Sequence, residues 1–109
     1  MEVEEPVTAL ERILVEAYKE EMVDYLNAHP EDFPEAIALA VGDRPRYAWR
    51  AAWLVGNGME AHDPHLRDHV DRLLAAMPGK PDGHWRELMK IVMRMRLNDE
   101  QEGRLFEMA

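Results

Sequence analysis

Residues 43–56 read DRPRYAWRAAWLVG, and residues 79–92 read GKPDGHWRELMKIV. In each segment a proline is followed four residues later by Trp-Arg, and the two tryptophans, Trp49 and Trp85, are 36 positions apart. A similarity that recurs at a period of 20 to 50 residues is typical of stacked helical repeats, because each unit buries its apolar face against the next. The two segments therefore predict an all-α array of similar units.

Apolar residues at helical spacing, separated by Pro, Gly and Asn, predict six helices and no strands. Thr8 with Glu11 and Asn98 with Gln101 are expected to cap the first and last helices, and Asp63 to cap the fourth. The third helix is apolar nearly all round, so we expect it to lie at the buried centre. The predicted helices span residues 7–27, 32–41, 44–57, 63–77, 82–97 and 99–108.

The second helix paired with the third, and the fourth with the fifth, resemble HEAT-type repeats. In such a repeat the second helix typically begins with an aspartate-containing turn, followed by an arginine beside a large apolar residue and then by small residues; residues 43–56 have this pattern. The resemblance covers about residues 31–97. It departs from the pattern in the second unit, where Gly79 takes the place of Asp43.

The resemblance implies a short αα superhelix that serves as a scaffold or adaptor, with the second helices lining its inner surface. We expect one domain over residues 1–109, divided into a cap helix (1–29), two helix pairs (31–60 and 62–97) and the start of a further helix (98–109). That last segment is apolar, and no terminal unit with a polar outer face covers it, so it predicts either a piece of a longer array or self-association through the C-terminal end, and we favour the longer array.

Composition and charge limit the classes of function that the chain can have. With 109 residues, 47% of them hydrophobic, the chain can bury a core without disulfides, and it has no cysteine. Its formal net charge of -9 repels phosphate polyanions, which disfavours nucleic acid as a partner. The acidic start and the lack of an apolar run of roughly 18 residues predict neither export nor membrane insertion, and cytoplasmic localisation is the expectation.

Positive charges recur at helical spacing on both second helices. Arg46 and Arg50 are one turn apart, and three more cations follow at four-residue steps, so stacking would place the two lines side by side. Such a strip suits an acidic peptide, a carboxylate-rich protein surface or phosphates. The alternative is that the cations pair with nearby carboxylates, with Arg50 and Arg86 the first candidates for a structural role. The predicted partner-binding residues are Arg46, Tyr47, Arg50, Arg86, Lys90 and Arg94.

Aromatic and titratable clusters favour packing over chemistry. Trp49, Trp53 and Trp85 lie at spacings typical of a core, with Tyr47 or one tryptophan edge expected to be exposed. His62, His65 and His69 could suggest a metal, but no further ligand is evident, so we expect solvated histidines. Carboxylates that recur on the first helix are expected to form a solvated face; they are Glu16, Glu20 and Asp24.

No catalytic triad, phosphate loop or zinc spacing rises above chance, so the sequence predicts no enzyme, cofactor or metal. The leading hypothesis is a non-enzymatic protein–protein interaction module that binds another protein or an acidic peptide. The alternative comes from the minority of HEAT-like folds that act on alkylated DNA, in which the same strip would grip phosphates.

Overall fold

In a computed structural model that describes residues 6–108, this part of the chain is 74% helix and contains no strand, which confirms the all-α class. Seven α-helices are present there, one more than predicted. They are α1 (Ala9–Glu16), α2 (Lys19–Ala28), α3 (Phe33–Val41), α4 (Ala48–Gly58), α5 (Val70–Ala76), α6 (Asp82–Met93) and α7 (Asp99–Met108), with 3₁₀ segments at Pro30–Asp32 and Pro64–His69.

The prediction of one long first helix is wrong, because the backbone is extended at Ala17 and Tyr18 and separates α1 from α2. In an unbroken helix Tyr18 would lie on the same stripe as Leu14 and Met22, which are both buried. The break instead turns Tyr18 to the solvent, where it is 81% exposed, while both apolar stripes still reach the core. The Ala17 carbonyl left by the break accepts a hydrogen bond from Arg50 Nη2 at 3.1 Å.

The predicted caps are confirmed. Thr8 Oγ1 accepts the Glu11 N–H at 3.0 Å and the Glu11 carboxylate accepts the Thr8 N–H, which is a full capping box at α1. At α7, Asn98 and Gln101 exchange the same pair of bonds at 2.8 and 3.0 Å. Asp63 accepts the His65 N–H at 2.9 Å, although the turn that it begins is 3₁₀ rather than α.

Helix α4 is the centre of the molecule, as predicted from its apolar sequence. It packs against α2, α3 and α6, and it buries Ala51, Ala52, Leu54 and Val55. Gly58 permits the close approach of α2, because a Cβ there would lie 3.1 Å from the Leu26 side chain, which would have to shift by a few tenths of an ångström. A Cβ at Gly56 would make an ordinary contact with Ile91 of α6 at 3.5 Å.

Helix α4 begins later than predicted, because residues 44–47 form a turn before it, in which the Arg44 carbonyl accepts the N–H groups of Tyr47 and Ala48. Helix α6 likewise ends at Met93, four residues before the predicted end. Arg46 and Arg94 thus lie outside the two helices to which the sequence assigns them.

The C-terminal end of α3, whose last carbonyl groups have no partner within the helix, is capped by residues distant in sequence. His84 Nε2 lies 2.6 Å from the Ala40 carbonyl oxygen and donates to it, and Lys80 Nζ donates to the Gly42 carbonyl at 3.0 Å. His84 lies at the start of α6 and Lys80 in the loop before it, so this part of the chain supplies the C-terminal cap of α3.

Candidate binding surface around Trp53

Trp53 of the central helix α4 is partly exposed between the two neighbouring helices α2 and α6. Trp53 and Asn57 line a cleft of about 410 Å³ against α2 and a second of about 350 Å³ against α6. The first cleft is lined by one cation, Lys19, and two carboxylates, Glu20 and Asp24. The second is lined by two cations, Lys90 and Arg94, and one carboxylate, Glu87. We call these five residues the Trp53 surface: Lys19, Trp53, Asn57, Lys90 and Arg94.

A cation lies directly over the ring of Trp53. Lys19 Nζ is 5.0 Å from the ring centroid, within the range at which an ammonium group is attracted to the face of an indole. Asn57 Nδ2 donates to the Trp53 carbonyl at 2.8 Å, one turn along the same helix. The ring therefore contacts a cation on one face, the Asn57 amide is fixed on the backbone one turn further along, and part of the ring surface remains open to the solvent.

Two predicted binding residues, Lys90 and Arg94, belong to this surface. The exposed Lys90 forms an ion pair with Glu87 at 3.3 Å, three residues before it on α6. Arg94 Nη1 donates to the Gly56 carbonyl at 2.7 Å near the end of α4, where a cation also complements the helix dipole. Arg94 thus fixes the spacing of α4 and α6 while it lines the cleft.

Arg50 and Arg86, aligned by the 36-residue repeat, have different surroundings. Arg50 is half-buried and donates to the Ala17 carbonyl and, at 3.7 Å, to Met22 Sδ. Arg86 is exposed, and within residues 6–108 it forms no hydrogen bond or ion pair. Arg50 is structural, whereas Arg86 is available to a partner.

The prediction that Tyr47 is an exposed anchor is wrong. The side chain is 0% exposed, because the turn before α4 points it inward and the Arg44 guanidinium lies over its ring at 4.4 Å. Arg44 is fixed in turn by Glu11 at 2.6 Å. Trp49, at 40% exposure, is the most open of the three tryptophans, in line with the alternative of an exposed tryptophan edge, and Arg46 is exposed in the same turn.

Sequence reasoning assigned Trp53 to packing and missed Lys19 and Asn57. A signal for two of them was present, since Arg46, Arg50, Trp53 and Asn57 recur at intervals of four, three and four residues and so share one helical face. Lys19 reaches the ring only because the chain breaks before α2. No local pattern identifies that break.

The buried carboxylates have structural roles. Hydrogen bonds from the Val7 N–H, then from Arg44 and the Thr8 N–H, lower the pKa of Glu11 against the opposing effect of burial. Burial raises the pKa of Asp63, but the N–H groups of Glu60 and His65 and the His65 ring outweigh it, so the net shift is downward. Both carboxyl groups therefore stay ionised and hold the chain turns that precede α1 and α5.

Within the predicted histidine cluster, His65 contacts Asp63 and packs against Phe33. His65 Nδ1 lies 2.8 Å from Asp63 Oδ1, and its ring stacks on Phe33 with 4.7 Å between centroids. Across residues 6–108 no three His, Asp or Glu side chains are grouped so that they could hold a metal ion. The carboxylates of the predicted solvated face are exposed, as expected; they are Glu16, Glu20 and Asp24.

Comparison with known proteins gives no relative: no protein-family model matches the chain, and neither a curated protein nor a solved structure matches it significantly. In the part of the chain that the structure describes, no helix has both the length and the apolar character needed to cross a membrane.

Proposed function

We propose that the chain is a non-enzymatic protein–protein interaction module built as a short HEAT-like αα superhelix. In this proposal α3 with α4 and α5 with α6 are successive pairs, and α1 with α2 caps the array. The packing of α4 on α3 within a pair, and of α4 on α6 between pairs, supports it. So does the capping of α3 by His84 and Lys80 of the following unit.

The observation that carries the binding role is the partly exposed Trp53, with Lys19 on one side and Lys90 on the other. Tryptophan is enriched at the centres of protein interfaces, because a large rigid ring buries much area at little entropic cost. Cations at the rim steer an acidic partner and set its orientation. The proposed ligand is a protein segment with one apolar anchor side chain flanked by carboxylates.

The charges around Trp53 also bear on the alternative function, DNA binding. The clefts beside Trp53 are lined by the carboxylates Glu20, Asp24 and Glu87 as well as by cations, and Arg50 of the predicted strip is half-buried on a backbone carbonyl. The face is therefore not the continuous positive strip that a phosphate backbone requires. With a net charge of -9, the chain also repels DNA at a distance. We therefore do not propose DNA binding as the function, and the experiment below includes it as an alternative outcome.

Peptide selection tests the proposal. A random-peptide phage library is selected on the immobilised chain, and the enriched peptides are measured by fluorescence anisotropy against the wild type and Trp53→Ser. We expect peptides that combine carboxylates with an apolar residue, bound at least about tenfold more weakly by Trp53→Ser, since loss of a central anchor costs about 2 kcal/mol or more. Lys90→Glu should weaken the same peptides.

A control variant keeps the test specific. Arg72→Glu reverses an exposed charge on α5, which lines neither of the two clefts beside Trp53, and it should not change peptide affinity. Enrichment of peptides that bind Trp53→Ser as well as the wild type would refute the assignment. Salt-sensitive retention of the wild type on duplex DNA, reduced by Lys90→Glu, would favour the DNA alternative.

Self-association through the C-terminal end stays a prediction. Met93 and Phe106 are 69% and 84% exposed, and they line an apolar cleft between α6 and α7 with Met89 and Leu105. Light scattering over a range of protein concentrations tests it. A mass that rises toward a dimer in the wild type but not in Phe106→Lys would support it, and a monomer at every concentration would oppose it.

A further inference from the structure

A further cleft, separate from the Trp53 surface, lies between the segment that leads into α5 and the residues that follow α6. Its volume is about 570 Å³, and its lining residues are His62, Arg67, Val70, Met95 and Arg96. None of them is acidic, although the chain has 22 Asp and Glu against 13 Lys and Arg. The cleft is therefore lined by two arginines, a histidine and two apolar side chains, with no carboxylate, in a chain that is acidic overall.

The two arginines of this cleft, Arg67 and Arg96, are both exposed. Within residues 6–108 neither Arg67 nor Arg96 forms a hydrogen bond or an ion pair, although both lie in a chain rich in carboxylates. Other arginines of the chain are held in place, for example Arg104 by Asp71 at 3.6 Å. Two guanidinium groups that face one cleft repel each other, and an anion placed between them would remove that repulsion.

The third polar group is held in place by the backbone. His62 is the single non-glycine residue with a positive φ, 55°, in the described part of the chain. Its N–H donates to the Arg94 carbonyl at 2.9 Å, which ties the loop to the end of α6. A non-glycine residue whose backbone is in the left-handed region and is fixed by a tertiary contact is often found at ligand sites, because the surrounding structure must maintain this unfavourable backbone conformation.

We propose that this cleft binds the phosphate group of a small molecule, with Arg67 and Arg96 as the two ligands and His62 as a third donor. A guanidinium fork donates two parallel hydrogen bonds to a tetrahedral oxyanion, so two forks can satisfy most of its oxygens. The buried side chains of Val70 and Met95 give the cleft an apolar wall, and its volume lies in the range of small-molecule sites. Free inorganic phosphate and a phosphate monoester share this chemistry.

Titration of the ¹⁵N-labelled full chain by NMR tests the proposal, with inorganic phosphate as the probe and the ionic strength held constant with sodium chloride. Saturable shifts of the amide signals of residues 62, 67, 95 and 96 are expected. Arg67→Gln and Arg96→Gln should each weaken the affinity about tenfold or more, because each removes charge-assisted hydrogen bonds. Arg72→Gln is the matched control: it removes the same charge from an exposed position on α5, and the affinity should stay unchanged.

Further arms identify the ligand and guard against misfolding. Phenyl phosphate that binds more tightly than phosphate would identify a monoester site, whereas equal or weaker binding would identify a site for the free ion. Arg67→Lys keeps the charge but loses the fork, so an intermediate affinity is expected in a variant with a wild-type NMR spectrum. Shifts that do not saturate, or an affinity that Arg72→Gln lowers as much as Arg67→Gln and Arg96→Gln do, would overturn the proposal.

Discussion

The clearest test of the structure compares two arginines that the sequence repeat treats as equivalent. Arg50 donates from Nη2 to the Ala17 carbonyl at 3.1 Å, at the point where α1 ends, whereas Arg86 has no partner within residues 6–108. A hydrogen bond that involves a charged group contributes about 1.5 to 3 kcal/mol. Because Arg50 is only half-buried, water can replace part of this bond, and we expect Arg50→Met to lower the free energy of unfolding by about 1 to 2 kcal/mol.

Arg86→Met is the matched control, and on an exposed, unpaired side chain it should change the free energy of unfolding by less than about 0.5 kcal/mol. Methionine keeps most of the aliphatic stem, so the comparison isolates the charged head group. Urea denaturation followed by circular dichroism measures the free energy of unfolding of both variants. In thermal denaturation, a loss of 1 kcal/mol corresponds to a decrease in Tm of roughly 4 to 6 °C for a domain of this size. Equal losses in the two variants, or a larger loss for Arg86→Met, would refute the assignment.

Three further predictions follow from the packing and the charges. Leu54→Ala removes a fully buried side chain of α4 and should lower the free energy of unfolding by about 2 to 5 kcal/mol in the same assay, whereas Val7→Ala, at an exposed position, should change it little. The hydrogen bond from the Val7 N–H lowers the pKa of Glu11 in the folded chain. The ionised Glu11 carboxylate therefore stabilises the fold fully above the pKa that Glu11 has in the unfolded chain, and this contribution is lost as the pH falls through the lowered pKa of the folded state. Glu11→Gln should thus flatten the acid limb of a curve of unfolding free energy against pH. The hydrogen bond to Asp32 raises the pKa of Tyr25 to about 12, so an absorbance titration should show one tyrosine ionising late, and Asp32→Asn should bring it earlier. No shift in Asp32→Asn, or an unchanged acid limb in Glu11→Gln, would contradict these assignments.

The secondary structure was predictable where local chemistry decides it. The bonds that cap α1 and α7 involve residues three positions apart, and the buried α4 follows from a nearly continuous apolar sequence, so both can be read from neighbouring residues. The break at Ala17 could not be read in this way. Nothing in the local sequence ends a helix there, and the carbonyl that it frees is satisfied by Arg50, 33 residues later.

The candidate surface was predictable only in part, for the same reason. Lys90 and Arg94 were found from their spacing on one helix, but spacing does not show that Arg94 binds the Gly56 carbonyl. Tyr47 was misplaced because the turn at residues 44–47 delays the start of α4 and directs the ring inward. Trp53 was assigned to the core because its neighbours in the sequence are apolar, whereas its exposure depends on how α2 and α6 are placed around it.

Photo-crosslinking in cells that naturally express the chain tests the central claim, that the Trp53 surface is where a protein partner binds. The photoreactive residue p-benzoylphenylalanine replaces Asn57 or, as a control, Arg72 on α5. We expect a discrete crosslinked protein from position 57 and none from position 72. Trp53→Ser in the same chain, or an excess of a selected peptide, should abolish the crosslink. An identical crosslink from both positions, or one that persists in Trp53→Ser, would contradict the central claim.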